Sequence, residues 1–392
     1  MKSLRVALVM ALVVLVGGAV WGQTSKKKRQ LPAGTYKTTG KIFLKDTYSM
    51  FDSAVVILKE GVDFYPEDAE MHFLLGKAYY QTKDYGAMGE HFALAESLKS
   101  KKKKWLDELN SMREEKWMEV YNQGVAAYRE QDFDTAIDKF QTCTRINPSD
   151  ARAYWLYGDT YRVKGDYDKA LEVLGVGLKL DPENPQILRS YADVLFFSGK
   201  AEEALESYGR VMENDPENTD VLFNMATLQY NAKNYDGAIE AFQKLVAIDP
   251  TFKDAYFNMG TAFLLQTIPV DDCLDSLKDE SGEFLKDGKS STRIKELAQK
   301  KNHLLASAQA AFEKTVELDS TDLQAQGHLA EIYQELENFD KALVILENLV
   351  VKDSTNCKAW QQLAYIYAKR DVGKKATDAF QKAQDCFEKK KE

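Results

Sequence analysis

A 34-residue period is the feature that most constrains this sequence. Pro148, Pro182, Pro216 and Pro250 follow one another at that step. A small residue keeps the same step, an alanine stands 12 residues after it, and a bulky apolar residue stands four residues later. The small residues are Gly124, Gly158, Ala192, Ala226 and Gly260, then Ala330 and Ala364; the alanines are Ala136, Ala170, Ala204, Ala238, Ala342 and Ala376; the bulky residues are Phe140, Leu174, Tyr208, Phe242, Leu346 and Phe380. This period indicates one supersecondary unit stacked many times.

The spacing within each period predicts a hairpin of two helices. About fourteen residues form the first helix, a turn such as Gly165-Asp166 follows, and the second helix runs to an Asp-Pro pair. Proline cannot continue a helix and disfavours helical geometry in the residue before it. The small residue of the first helix and the alanine of the second are expected where the two axes cross. A small side chain there allows an approach near the low end of the usual 8–10 Å.

The repeat 151–184 resembles the tetratricopeptide repeat family. The resemblance rests on Gly158, Tyr161, Gly165-Asp166-Tyr167, Ala170 and Asp181-Pro182. It implies an all-α fold, a right-handed α-solenoid of stacked hairpins whose concave groove holds a peptide or protein segment. Members of the family are chiefly scaffolds and adaptors.

The repeat divides the chain into regular and irregular stretches. In the first repeat Ile42 stands where the small residue is expected. The predicted division is an export signal at 1–22, a basic linker at 23–34, degenerate repeats with a Lys-rich insertion at 35–116, four regular repeats at 117–252, a split repeat at 253–322 with an insertion at about 266–302, and C-terminal repeats with a cap at 323–392. Insertions in repeat proteins form loops or longer helices, often on the binding face.

The N-terminal segment is typical of an export signal. Lys2 and Arg5 precede an apolar run from Val6 to Val16, and the small residues Val20 and Gly22 suit a cleavage site. The protein is therefore expected to be exported, in the periplasm or with the bacterial envelope. The alternative is an uncleaved membrane anchor, because no charge occurs from Val6 to Ser25. The basic cluster after it would then keep the repeats in the cytoplasm.

Composition and motifs argue against several functions. The net charge of −9 disfavours a nucleic-acid partner, because binding phosphates needs a basic surface. The four histidines form no zinc motif, and Gly282 and Gly288 are one residue too far apart for a phosphate-binding loop. No catalytic pair stands out among the carboxylates. We therefore expect no enzyme activity, no metal, no cofactor and no small-molecule substrate.

Candidate partner contacts come from the resemblance, carried over position by position on the first helices. Position five holds aromatic residues or Arg, position six holds chiefly amides, and position twelve holds Tyr, Phe or Arg. The predicted groove residues are Phe73, Tyr80, Tyr121, Asn122, Tyr128, Trp155, Arg189, Phe223, Asn224, Phe257 and Asn258. Amides can pair with the backbone of an extended peptide, and aromatics give rigid contact area. The alternative for each aromatic is packing against the neighbouring hairpin.

Cys357 and Cys386 lie at the two ends of the last hairpin that antiparallel packing brings together. In an exported protein a disulfide between them would staple that hairpin. Taken together, the sequence predicts a protein-binding scaffold or adaptor in bacterial envelope assembly, with membrane-associated complexes among its partners. The alternatives are a self-associating structural component and a membrane-anchored cytoplasmic adaptor.

Overall fold

The computed structural model describes residues 30–98, 103–279 and 281–389. The predicted export signal and most of the basic linker lie outside these residues. The described chain is helical, and its only β pairing is an isolated bridge between Lys278 and Phe284. The helices are α1 (Ala33–Phe43), α2 (Phe51–Phe64), α3 (Ala69–Thr82), α4 (Tyr85–Ser97), α5 (Lys103–Arg129), α6 (Phe133–Ile146), α7 (Ala151–Lys164), α8 (Tyr167–Leu180), α9 (Pro185–Phe197), α10 (Ala201–Asn214), α11 (Thr219–Asn231), α12 (Tyr235–Ile248), α13 (Lys253–Asp275), α14 (Gly288–Leu318), α15 (Leu323–Glu335), α16 (Phe339–Lys352), α17 (Cys357–Lys369) and α18 (Gly373–Lys389). The predicted all-α class is confirmed.

The helices form two compact units. The first contains the described residues up to Asp166 together with 179–181, and the second contains 167–178 and the described residues from Pro182 onward. In the first unit a continuous apolar core surrounds Tyr36, Phe92 and Trp117. In the second, successive cores surround Tyr208, Phe242 and Phe312. Each unit is thus a row of hairpins that bury their apolar stripes against neighbours.

The predicted close crossing of the two helices is present in both units. A Cβ atom added to Gly124 would lie 2.7 Å from the ring of Phe140, and one added to Gly260 would lie 2.9 Å from Phe312. Real Cβ atoms do not approach so closely, so each crossing is filled by an aromatic ring that only glycine admits. The residue 16 positions after the small one in a regular repeat is therefore a packing partner of that small residue.

Helix ends follow the predicted signals. The second helices α6, α10 and α12 end at Ile146, Asn214 and Ile248, each directly before an Asn-Pro or Asp-Pro pair. Many first helices begin at a side-chain cap. Asp68 accepts from the N–H of Met71, and Asn218 accepts from that of Val221, both at 3.1 Å.

The first hairpin departs from the expected register. Ile42 is not the crossing residue, because Gly40 lies against Leu58, with an added Cβ 2.5 Å from its side chain. The connection from α1 to α2 covers residues 44–50, whereas α3 and α4 are joined by Lys83 and Asp84 alone. The longer connection moves the crossing glycine two residues toward the N-terminus, and a fixed period does not reveal this shift.

Both insertions lengthen helices. The described part of the first is continuous with α5, which has 27 residues; Lys99, Lys101 and Lys102 lie outside the described residues. The second extends α13 to 23 residues and α14 to 31 residues, and the structure describes the connection between them at 276–279 and 281–287. A regular second helix such as α12 has 14 residues.

The last hairpin, α17–α18, differs from the others on its outer side. Ala379 and Ala383 are buried, but Phe380, expected in the core, is 54% exposed. Helix α18 packs chiefly on α17, so only one of its faces is covered. At the far end of the hairpin the sulfur atoms of Cys357 and Cys386 are bonded, with their Cα atoms 5.3 Å apart.

Candidate partner-binding site

Phe73 on α3 belongs to the core of the first unit. Its side chain is 5% exposed. Its ring stacks on those of Phe92 and Trp105, with centroids 6.1 and 5.0 Å away. The lengthened start of α5 supplies Trp105, so the insertion covers a ring that was expected to face a partner. Phe73 is therefore a packing residue.

Tyr80 on α3 contacts α5 through its hydroxyl group. Its hydroxyl donates to the carboxylate of Glu115, 3.2 Å from either oxygen. The Nζ atom of Lys116 lies 5.3 Å from the ring centroid. Tyr80 is half-buried, so part of its side chain stays accessible to solvent.

The predicted residues of α5 have three different environments. Tyr121 stacks on Trp117 with centroids 4.7 Å apart, whereas Asn122 is exposed. The hydroxyl of Tyr128 donates to Oδ2 of Asp159 at 2.7 Å. Burial and this hydrogen bond raise the pKa of Tyr128 to about 12. The hydroxyl of Tyr128 therefore stays protonated and can donate at physiological pH. The remaining predicted residue of this unit, Trp155 on α7, is half-buried.

In the second unit, two of the predicted polar contacts are already paired. Arg189 donates to Asp220 at 2.6 Å across successive first helices. Asn224 donates from Nδ2 to the hydroxyl of Tyr208 at 3.0 Å, and that hydroxyl donates to Asp193 at 2.6 Å. Burial raises the pKa of Tyr208, and Asp193 raises it further. The amide nitrogen of Asn224 thus closes an internal network.

The remaining predicted residues of the second unit lie on α11 and α13. Phe223 packs on Phe242 and Phe252, with ring centroids 6.0 and 5.2 Å away. Phe257 meets Phe312 edge-on at 5.6 Å. Asn258 is half-buried beside it on the same helix. Phe73, Tyr121, Phe223 and Phe257 therefore pack against neighbouring rings, and the amides at 122 and 258 keep accessible surface.

A cavity of about 330 Å³ lies in the second unit where the lengthened hairpin meets the next two first helices. Its walls come from α13, α14, α15 and α17. The lining residues are Leu264, Thr267, Asp271, Lys301, Leu305, Glu331, Ile332, Gln334, Glu335, Lys358 and Gln362. The volume is near the lower end of the range of about 300–1,000 Å³ for ligand pockets.

Lys301 is the central charge of this cavity. Its Nζ atom lies 2.8 Å from Asp271 and 3.1 Å from Glu335, so it joins the lengthened hairpin to α15. Burial alone would lower the pKa of Lys301, but hydrogen bonds to the two carboxylates outweigh burial and raise it. Lys301 is therefore charged at neutral pH.

The cavity was not among the predicted sites. The signal for it in the sequence is the 36-residue excess between Gly260 and Ala308, which places Asp271 and Lys301 in the insertion. Their pairing depends on how two lengthened helices fold back on each other. The 34-residue period does not predict how these two helices pack.

Within the described ranges, no group of three or more His, Cys, Asp or Glu residues is arranged to hold a metal ion. No helix there has both the length and the apolar composition that a bilayer span requires.

Two family models match the sequence. The model of the cytochrome c-type biogenesis protein H TPR domain matches residues 144–253, and a tetratricopeptide repeat model matches residues 69–102. A comparison with curated protein sequences finds no match.

Several solved structures are similar to this chain at low identity. YrrB, described as a TPR protein with an unusual peptide-binding site, is 17% identical with a TM-score of 0.42, covering 59% of this chain and 97% of that one. MamA from Desulfovibrio magneticus RS-1 is 20% identical with a TM-score of 0.38, covering 47% and 96%. A tetratricopeptide repeat protein from Parabacteroides merdae is 15% identical with a TM-score of 0.40, covering 69% and 93%.

Proposed function

This chain is a tetratricopeptide repeat protein, and we propose that it is a non-catalytic adaptor that binds a peptide or protein segment through the first helices of its hairpins. One observation carries the proposal. Side chains able to contact a partner, such as Asn122 and Asn258, recur on helices fixed by the same glycine–aromatic crossing. Rigid helices hold contact residues in place before binding, which lowers the entropy cost of association.

The finer proposal is a role in bacterial envelope assembly. It is supported by the export-signal pattern of residues 1–22 and by the match of residues 144–253 to a TPR domain named for cytochrome c-type biogenesis. An adaptor of this kind would hold a segment of another envelope protein while a complex is built.

Capture of partners by a C-terminally tagged protein in its native cells tests the binding function. Chemical cross-linking and mass spectrometry should recover envelope proteins reproducibly. Asn258→Ala and Asn122→Ala should each reduce that recovery, whereas the matched change Asn302→Ala, at an exposed position of α14, should not. Asn224 is unsuitable for this test, because its amide holds Tyr208. Recovery that is equal in all variants contradicts binding through the first helices.

Thiol labelling tests export. Cys357 and Cys386 should be oxidised in protein purified from the envelope and unfolded without reductant, so that a maleimide labels only Cys143 and Cys273. In an oxidising compartment such a bond persists, and in the cytosol it is normally reduced. Labelling of all four cysteines would place the repeats in a reducing compartment and contradict the envelope role.

The outer face of α18 supports self-association as a second candidate. Phe380 and Phe387 are seven residues apart, so they lie on one side of the helix, and they are 54% and 43% exposed. Light scattering after size exclusion would report a dimer. The double change Phe380→Gln and Phe387→Gln should return it to a monomer, and a monomeric starting protein excludes this candidate.

A further inference from the structure

The last helix, α18, buries little apolar surface against its neighbours. Its buried residues are Ala379 and Ala383, whose side chains are single methyl groups. The second helix of the preceding hairpin, α16, buries the larger side chains of Leu346, Leu349 and Val350. Because the hydrophobic gain follows the apolar area removed from water, packing holds α18 in place more weakly than it holds α16.

Two lysines of α18 cover aromatic rings of α17. The Nζ atom of Lys382 lies 4.4 Å from the ring centroid of Trp360, and that of Lys375 lies 5.0 Å from the ring centroid of Tyr367. Lys375 also lies 3.6 Å from the carboxylate of Glu347, and both of these side chains are at least half exposed. Solvent weakens such contacts, so they add little to the docking of α18.

The disulfide closes this hairpin at the end opposite its turn. Cys357 is the first residue of α17, and Cys386 lies in the last turn of α18. Residues 370–372 join the two helices at the other end. While the bond is present, α18 is linked to α17 at both ends and cannot swing away. Without the bond, only the short turn and the weak contacts described above keep the helices together.

The two sulfur atoms differ in their accessibility to an external thiol. Cys357 is 2% exposed, whereas Cys386 is half-buried. An external thiolate therefore attacks Sγ of Cys386, and the electron pair of the broken bond goes to Sγ of Cys357. That sulfur lies at the N-terminus of a 13-residue helix, whose partial positive charge stabilises a thiolate. A more stable leaving thiolate makes the exchange faster.

We propose that the disulfide between Cys357 and Cys386 is a redox-controlled latch on the last hairpin. A dithiol reductant forms a mixed disulfide with Cys386 and releases Cys357, and its second sulfur then displaces Cys386. The dithiol leaves as a disulfide, so it gives up two electrons, and its two protons end on the two cysteines. Helix α18 then separates from α17 and uncovers the rings of Trp360 and Tyr367. The latch does not depend on partner binding by the first helices, and failure of partner capture leaves it standing.

Hydrogen exchange measured by mass spectrometry tests the latch on the purified, oxidised protein. The amides of α18 should exchange about 100-fold faster after dithiothreitol is added, because the bond restricts opening of the hairpin. The amides of α16 should exchange at the same rate in both states. Oxidised glutathione should restore slow exchange once dithiothreitol is removed. An unchanged rate in α18, or a bond that dithiothreitol reduces only after the protein unfolds, overturns the proposal.

Variants separate the bond from other effects of a reductant. The double change Cys357→Ser and Cys386→Ser should give fast exchange in α18 without dithiothreitol and no further change with it. Cys273→Ser, at an exposed free cysteine, should keep exchange slow until the reductant is added. Circular dichroism verifies that the variants are folded, and reduction of the unaltered protein gives an independent reading. A double variant that exchanges as slowly as the oxidised protein would show that packing alone holds α18.

Discussion

The regular hairpin α9–α10 and the lengthened hairpin α13–α14 differ in the hydrogen bonding of the polar side chains around them. In the first, Tyr208 joins Asp193 and Asn224 in a closed network. Beside the second, Lys301 and Glu335 line a cavity, and Gln334 has an acceptor that is unpaired among the described residues. Both hairpins belong to the second unit, so the contrast arises from the insertion and not from separate folding environments.

The comparison shows that position in a repeat does not by itself assign a binding role. Asn224 and Asn258 occupy the same repeat position, yet the first serves an internal network and the second does not share those partners. In a regular repeat the neighbouring hairpin approaches closely enough to use such side chains. Beside the lengthened hairpin, by contrast, the buried Oε1 atom of Gln334 has no donor among the described residues.

The largest expected effect comes from filling the close contact between glycine and aromatic ring where the two helices cross. It tests whether this contact stabilises both the regular and the lengthened hairpin. Gly124→Leu and Gly260→Leu each force a side chain into Phe140 or Phe312, and each should lower the free energy of unfolding by about 3 kcal/mol. Urea denaturation measures the change. Gly209→Leu is the matched control, because a Cβ there meets no neighbour within 4 Å. If Gly260→Leu leaves the free energy of unfolding unchanged, the close contact with Phe312 does not stabilise the lengthened hairpin.

A histidine pair makes the hairpin α3–α4 of the first unit sensitive to acid. His72 donates from Nε2 to the carbonyl of Pro66 at 2.9 Å, so its Nδ1 accepts from Nδ1 of His91 at 3.0 Å. Burial, with a smaller contribution from the neighbouring His72, lowers the pKa of His91 from 6.5 to about 4. The unfolded chain binds more protons between those values, so stability is full above about pH 6.5 and falls as the pH approaches 4, by about 2 kcal/mol once solvent screening of the partly exposed ring is allowed for.

Unfolding curves from pH 7 to 4.5 measure this loss. His91→Asn keeps an N–H donor near the Nδ1 position without a titrating ring, so it should flatten the dependence on pH. His303→Gln, at an exposed position of α14, should leave the dependence unchanged. Equal slopes for all three proteins would show that the pair does not control acid stability.

Removing the network of the regular hairpin should have a moderate effect. Tyr208→Phe deletes the donor to Asp193 and the acceptor of Asn224, and Tyr208 is fully buried. The free energy of unfolding should fall by about 1.5 kcal/mol. Tyr365→Phe, at a side chain 47% exposed, is the control and should change it by less than about 0.5 kcal/mol. If Tyr208→Phe leaves the free energy of unfolding unchanged, the closed network does not stabilise the regular hairpin, and the two hairpins do not differ in this respect.

The sequence predicts the repeated part of this structure because each period carries its own local signals. Gly124 on α5 and Phe140 on α6 are only 16 residues apart, and the short turn between the two helices ends at Asp132, which caps α6. It does not predict Gly40 as a crossing residue or Trp105 over Phe73, since both depend on the length of an irregular segment. Among the predicted groove aromatics, Phe73 is buried in the core, whereas the others keep part of their surface exposed. A ring at position five suits both packing and binding, and the distance to the next hairpin decides between them.

The smallest expected effect concerns stability at the cavity. Gln334→Leu removes a buried acceptor that has no donor among the described residues and replaces it with an apolar group of similar size. Because no hydrogen bond is lost, the free energy of unfolding should stay within about 0.5 kcal/mol of the original or rise. Thermal and urea unfolding of the two proteins measure it. A loss as large as that of Tyr208→Phe would mean that Gln334 has an internal partner, and the lengthened hairpin would then be as closed as the regular one.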